Sequence, residues 1–120
     1  MAISDKARKR LWARSGNRCA ICKIEIFAES SDADTFNIGD ECHIISGKVN
    51  DPRHKVGLSD YDDYDNLLLL CKNHHKEIDE LHETCSEEVL RFMKTSHENF
   101  IKRAISTATN EKNTEEKPKF

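Results

Sequence analysis

The chain has 120 residues, enough for one domain, with 34% charged against 37% hydrophobic residues, which leaves only a thin core. The net charge of -3 excludes a like-charge-repelled disordered chain and speaks against a general nucleic-acid coat protein. No run approaches the roughly 18 consecutive apolar residues of a membrane-spanning helix, and residues 1–10 carry Lys and Arg without a following apolar run, so no secretory signal is read. These features place the chain in the cytoplasm, away from membranes. Its five cysteines are then thiols or metal ligands. The charge is unevenly spread. Residues 1–23 hold seven basic side chains and one acidic one, whereas residues 24–65 hold three basic and eleven acidic.

In chain order, Ser4-Asp5 reads as a helix start, with Ser4 as N-cap and Asp5 favourably placed in the first turn. This helix runs to about Ser15 and stops at Gly16, anchored by Leu11 and Trp12, with its Lys and Arg residues facing outward. Within it, Arg8, Lys9 and Arg14 are candidate DNA-phosphate contacts, because local positive charge acts over about 10 Å. Asn17 to Cys22 forms a tight knuckle, and Ile24 to Phe27 a short strand. Glu29 to Asp34 reads as a loop, and Thr35 to Ile45 as a strand ending in Glu41-Cys42-His43-Ile44-Ile45. Ser46 to Asp65, with Gly47, Pro52, Gly57 and many Asp residues, is a long loop of the kind that is functional or mobile. Its Asp60 to Asp65 stretch lacks the Gly and terminal Glu of a calcium loop.

Asn66 to Cys71 is a short apolar run expected to be a buried strand. A helix over Lys72 to Glu83 follows, and Ser86 caps a second one with Glu87 and Glu88 in its first turn. The stripe Val89, Phe92, Met93, Phe100, Ala104 and Ile105 predicts the core face of that helix. Residues 106–120 are polar and aperiodic and contain Pro118, so they read as a tail or as a linker to a region beyond it; residues 1–105 read as the domain.

Cys19-x-x-Cys22 and Cys71-x-x-His74 are two half-sites, each placing two ligands one short turn apart. Thiolates and imidazole at these spacings favour a structural Zn²⁺, which would clip two distant segments together in a domain short of core. Cys85 is left as a plain thiol, and His54, His82 and His97 fit no role. His74 and His75 are adjacent, so on a helix they point about 100° apart. With His74 on the zinc, His75 must face a second site.

The ordered set Cys19-x-x-Cys22, Glu41-Cys42-His43-Ile44 and Asn66 to Asp79, the last including His74-His75, resembles the HNH endonuclease family, in particular its zinc-stabilised bacterial and phage members. The resemblance covers roughly residues 15–80. It implies an α+β fold, a small ββα-metal core with a zinc knuckle, flanked by the basic N-terminal helix and a C-terminal helix. It further implies that His43 is the general base, that Asn66 orients it, and that His75 holds a divalent cation, Mg²⁺ or Mn²⁺, at the scissile phosphate. The residue before the base is commonly an acid or a second His in such enzymes; here it is Cys42. A hard cation prefers oxygen, and strand alternation puts Glu41 on the face of His43, so Glu41 is expected to join His75 and Cys42 to fill space.

The chemistry is consistent with these residue types. Phosphodiester hydrolysis needs a deprotonated water, which a neutral His can generate, and charge stabilisation, which a metal supplies. Arg53 in the long loop is a further candidate phosphate clamp. The leading reading is a DNA endonuclease gripping the phosphate backbone without base readout. A noncatalytic zinc module binding nucleic acid or a protein partner is the alternative. An RNA or single-strand nuclease ranks lower, with Tyr61 and Tyr64 as stacking residues.

Overall fold

The computed structural model describes residues 2–28 and 36–110, with the side chain of Phe36 left out. The expected loop at Glu29 to Asp34 and residues 111–120 of the expected tail lie outside the described residues. The architecture is α+β: three helices around small antiparallel strand pairs. None of these helices is long and apolar enough to cross a membrane.

Helix α1 spans Asp5–Ser15. The Ser4 hydroxyl accepts from the Ala7 amide at 3.1 Å, satisfying one of the free N–H groups of the first turn. Gly16 closes the helix at φ 63°, in the left-handed region. Glycine is also needed there for space, because a Cβ would lie 3.0 Å from the Ile101 side chain of the last helix. Strands β1 (Phe27–Ala28) and β2 (Phe36–Asn37) pair antiparallel. The strand expected from Thr35 to Ile45 is broken at Ile38, and its second part is β3, Gly39–His43. Ile38 links the two strand pairs in register, its amide donating to Ile26 O at 2.8 Å and its carbonyl accepting from Lys72 N at 2.9 Å.

After the long loop and a 3₁₀ turn at Tyr64–Asn66, β4 (Leu67–Cys71) pairs antiparallel with β3, from Gly39 opposite Cys71 to His43 opposite Leu67. Every residue of β4 is buried. Helix α1 packs against β4, and α2 (Lys72–Glu80) packs against both β3 and β4. A strand covered on both sides reads as a continuous apolar run, which explains Leu67 to Leu70. Leu11, Ile26, Ile44, Ile78 and Leu90 complete the core.

Helix α3 spans Glu87–Asn110, five residues beyond the expected domain end. Its buried residues are Leu90, Lys94 and His97, not the expected stripe. Phe92 is 73% exposed and Ile105 65%, and Phe100 and Ala104 are also exposed; Met93 alone of the six packs on the core. Polar tethers turn the helix. His97 meets the Ser15 carbonyl through Nε2 at 2.8 Å and the Lys23 ammonium through Nδ1 at 2.8 Å. Lys94 pairs with Glu98 at 2.9 Å and sits 3.8 Å above the Tyr64 ring. Tyr64 is therefore buried among cations and bonded to Glu98, and is not a free stacking residue.

Candidate active site and metal centre

The knuckle is shaped by its backbone. Lys23 takes φ 65°, which lets the Cys19 amide reach Ile24 O at 3.0 Å and the Lys23 amide reach Cys19 O at 3.0 Å. The Ala20 amide donates to Leu69 O at 3.0 Å, docking the knuckle on the middle of β4. Cys71 ends that strand and His74 sits one turn into α2, so the two half-sites meet.

Ligand atoms of Cys19, Cys22, Cys71 and His74 all lie within 4.8 Å of one another, the one such group of three or more among the described residues. Cys22 Sγ and Cys71 Sγ are 3.9 Å apart, and His74 Nδ1 is 3.7 Å from Cys19 Sγ and 3.2 Å from Cys71 Sγ. Tetrahedral zinc with Zn–S bonds of about 2.3 Å sets its sulfurs about 3.8 Å apart, so the donor set fits and the cluster could hold zinc. Burial opposes a thiolate at Cys19, but the amides of Cys22, Cys71 and Ile21 outweigh it and lower its pKa to about 7. All five cysteines are free of disulfides.

His75 turns away from this set. Its Nδ1 lies 2.9 Å from Asp40 Oδ2, and its Nε2 lies 3.3 Å from Asp79 Oδ2, one turn further along α2. Lys72 Nζ donates to Asp40 Oδ1 at 2.7 Å. Burial alone would raise the Asp40 pKa, yet hydrogen bonds from Lys72 and His75 hold it below the ordinary value. Carboxylate oxygens thus face both ring nitrogens of His75. With Nδ1 donating to Asp40, Nε2 is left either to donate to Asp79 or to share a cation with it. An imidazole nitrogen and a carboxylate oxygen are suitable donors for a hard divalent ion that keeps several waters.

Glu41, expected beside His75, is elsewhere. Arg8 Nε donates to both of its oxygens, at 3.1 and 2.8 Å, Arg8 Nη2 adds a bond at 2.8 Å, and Trp12 Nε1 donates at 2.8 Å. The Arg8 bonds, aided by Trp12, lower the Glu41 pKa against burial. Alternation linked Glu41 to His43, but the helix carrying His75 packs on the Asp40 side of β3, and α1 claims Glu41. Cys42 is buried, and its thiol is pushed up chiefly by burial, in keeping with a space-filling role.

His43 closes β3, with Nε2 2.7 Å from Asp62 Oδ1. Asn66 is fully engaged: its Oδ1 accepts from Ile45 N at 2.9 Å, and its Nδ2 donates to Ile45 O and Tyr61 O, both at 2.9 Å. His43 and His75 share a cleft of about 140 Å³ with Ser46, Asp51 and Asp79. Asp62 carries no sequence signal that singles it out, whereas Asp40 is a carboxylate that strand alternation sets on the face opposite His43, and it is this face that meets His75. Asp79 lies four residues after His75, a helical spacing that could have marked it.

Arg53 lines the same cleft but is not a free clamp. Its guanidinium, 7% exposed, donates to Ile44 O at 2.9 Å, Ile78 O at 3.0 Å and Asp79 Oδ1 at 2.9 Å. Its backbone is in the left-handed region at φ 57°, and its side chain fastens the loop to α2 through Ile78 and Asp79. Among the other basic candidates, Arg8 and Lys9 line a groove with Trp12 and Phe27 that reaches Asp40, whereas Arg14 lines a separate groove against α3.

No curated protein sequence matches the chain. A family model described as HNH endonuclease matches residues 19–82, more than half of the chain, from the first cysteine of the zinc set through His43, Asn66 and His75. With the ββα hairpin-and-helix core already in place around those residues, the chain belongs to the HNH endonuclease family.

Proposed function

We propose that this protein is a metal-dependent endonuclease that hydrolyses phosphodiester bonds in DNA. The observation that carries the reading is the shared cleft of His43 and His75, with His74 turned to the cysteines. His43 takes a proton from the attacking water, and Asn66 holds the loop around it. His75 and Asp79 would hold the divalent cation, with Asp40 fixing the His75 ring; when bound, this ion supplies charge stabilisation at the phosphate. Arg8 and Lys9 steady the DNA backbone without reading bases. Free thiols in a metal set suit a reducing compartment, and the cytoplasm is the proposed one.

The second reading, a noncatalytic zinc module that binds nucleic acid or a protein, draws support from one observation. Both His43 and His75 already have carboxylate partners. A supercoiled-plasmid assay with zinc-loaded protein, with and without Mg²⁺ or Mn²⁺, separates the two. Nicking that requires the added ion and is lost in His43→Ala supports the nuclease; retarded but uncut plasmid under all conditions supports the binding module.

A further inference from the structure

His43 closes a strand, yet the group that fixes its ring comes from 19 residues further on, where Asp62 Oδ1 meets Nε2 at 2.7 Å. The Asp62 side chain is 14% exposed and that of His43 39%, so the carboxylate end of the contact is shielded while the imidazole still reaches solvent. The segment that carries it is held on several sides. The Asp62 amide donates to Asp60 Oδ1 at 2.9 Å, and the Tyr61 hydroxyl donates to Lys55 O at 2.8 Å. The Tyr61 ring lies so close to Gly47 that a Cβ there would sit 3.0 Å from it. The Asn66 amide spans the two segments that bear the pair, bonding Ile45, two residues after His43, and Tyr61, one residue before Asp62.

An ionised carboxylate has no proton to donate, so the proton in the 2.7 Å bond belongs to Nε2 of His43. The ring nitrogen with the free lone pair is then Nδ1, which makes no hydrogen bond among the described residues. We propose that Asp62 is the positioning residue of the base: it holds His43 as the Nε2–H tautomer, aims Nδ1 at the water, and is itself placed by Asn66. This rests on the nuclease reading of His43. In the step it serves, Nδ1 takes a proton from water and the water oxygen bonds to phosphorus. The ester P–O bond breaks, its electron pair stays on the departing oxygen, and solvent protonates that oxygen. Asp62 remains ionised and faces the imidazolium formed.

The test pairs two readouts on zinc-loaded parent, Asp62→Ala and Asp62→Asn. Ring ¹⁵N chemical shifts of His43 report the tautomer, and Mn²⁺-dependent plasmid nicking reports kcat and KM. The parent should show the Nε2–H form. Asp62→Ala should show a tautomer mixture, with kcat down on the order of 10²-fold and KM unchanged. Asp62→Asn, nearly the same shape and still able to accept through Oδ1, should keep the fold and recover part of both. A parental tautomer in both variants, or parental kcat in Asp62→Ala, overturns the positioning role while leaving the nuclease intact. A parent that never nicks overturns the nuclease reading, and the tautomer comparison then decides the role of Asp62 alone.

Discussion

His74 and His75 are adjacent in sequence, yet they face different groups: His74 Nδ1 lies 3.2 Å from Cys71 Sγ, and His75 Nδ1 lies 2.9 Å from Asp40 Oδ2. The 100° step of an α-helix makes this division possible, and α2 begins close enough to Cys71 to exploit it. Loss of either ring should therefore have different consequences. His75→Ala should abolish ion-dependent nicking while melting within a few degrees of the parent. His74→Ala should lower zinc content and melt far below it. Melting curves taken beside elemental analysis check this; a His75→Ala protein that loses zinc would reverse the assignment.

The zinc set should contribute to folding on the order of 10 kcal/mol, because little core lies beyond β4 and its neighbours. Cys71→Ser should prevent stable folding, and a strong chelator should unfold the parent reversibly, as read by circular dichroism. A well-folded sample containing no zinc would refute the site.

Arg53 offers a stability test independent of catalysis. Its buried guanidinium satisfies carbonyls of three segments, at Ile44, Ile78 and Cys85, and the Asp79 carboxylate. Arg53→Ala should cost about 3 kcal/mol in urea unfolding, through acceptors left without donors. A phosphate clamp in solvent would show almost no change in stability.

The elements legible from the sequence were those set by local chemistry. The Ser4 and Gly16 caps bound α1, the Leu67 to Leu70 run marks β4, and the paired half-sites point to the four clustered ligands. What was not legible depended on long-range partners. Phe92 and Ile105 look like core by spacing, but the other face of α3 is held inward, His97 by Ser15 and Lys23, and Lys94 and Glu98 by Tyr64. Glu41 and Asp40 differ by one strand position, and only the packing of α1 and α2 on opposite sides decides which meets His75. Asp62 sits in an Asp-rich loop where composition gives no way to pick one carboxylate from its neighbours.

His97 should make stability depend on pH. Burial lowers its pKa below the ordinary 6.5, and the Lys23 ammonium at Nδ1 also disfavours a second ring proton. As pH falls through about 6.5, the unfolded chain takes up a proton that the folded chain refuses, so stability is lost on acidification and the loss levels off below the folded-state pKa. His97→Gln removes this contribution. The gap in Tm between parent and His97→Gln should narrow from pH 7.5 to pH 5.5, compared with zinc saturating both; a constant gap would contradict it.

Lys9 should contribute to DNA affinity through phosphates. Its neutralisation should flatten the log-log salt dependence by roughly one unit. Arg8, already paired with Glu41, should change it less, and so should Arg14, which lies in the α3 groove near the Tyr64 ring. Fluorescence anisotropy at several salt concentrations measures each slope, and an unchanged slope for Lys9→Ala would leave α1 as a solvated face.

The central claim is that His43 is the base of a DNA nuclease, and the most direct measurement is the plasmid-nicking rate of His43→Ala with its zinc content and melting curve taken on the same preparation. The account predicts a rate lower by about 10² to 10⁴, with zinc, fold and DNA binding retained. Nicking by His43→Ala at the parental rate would contradict it.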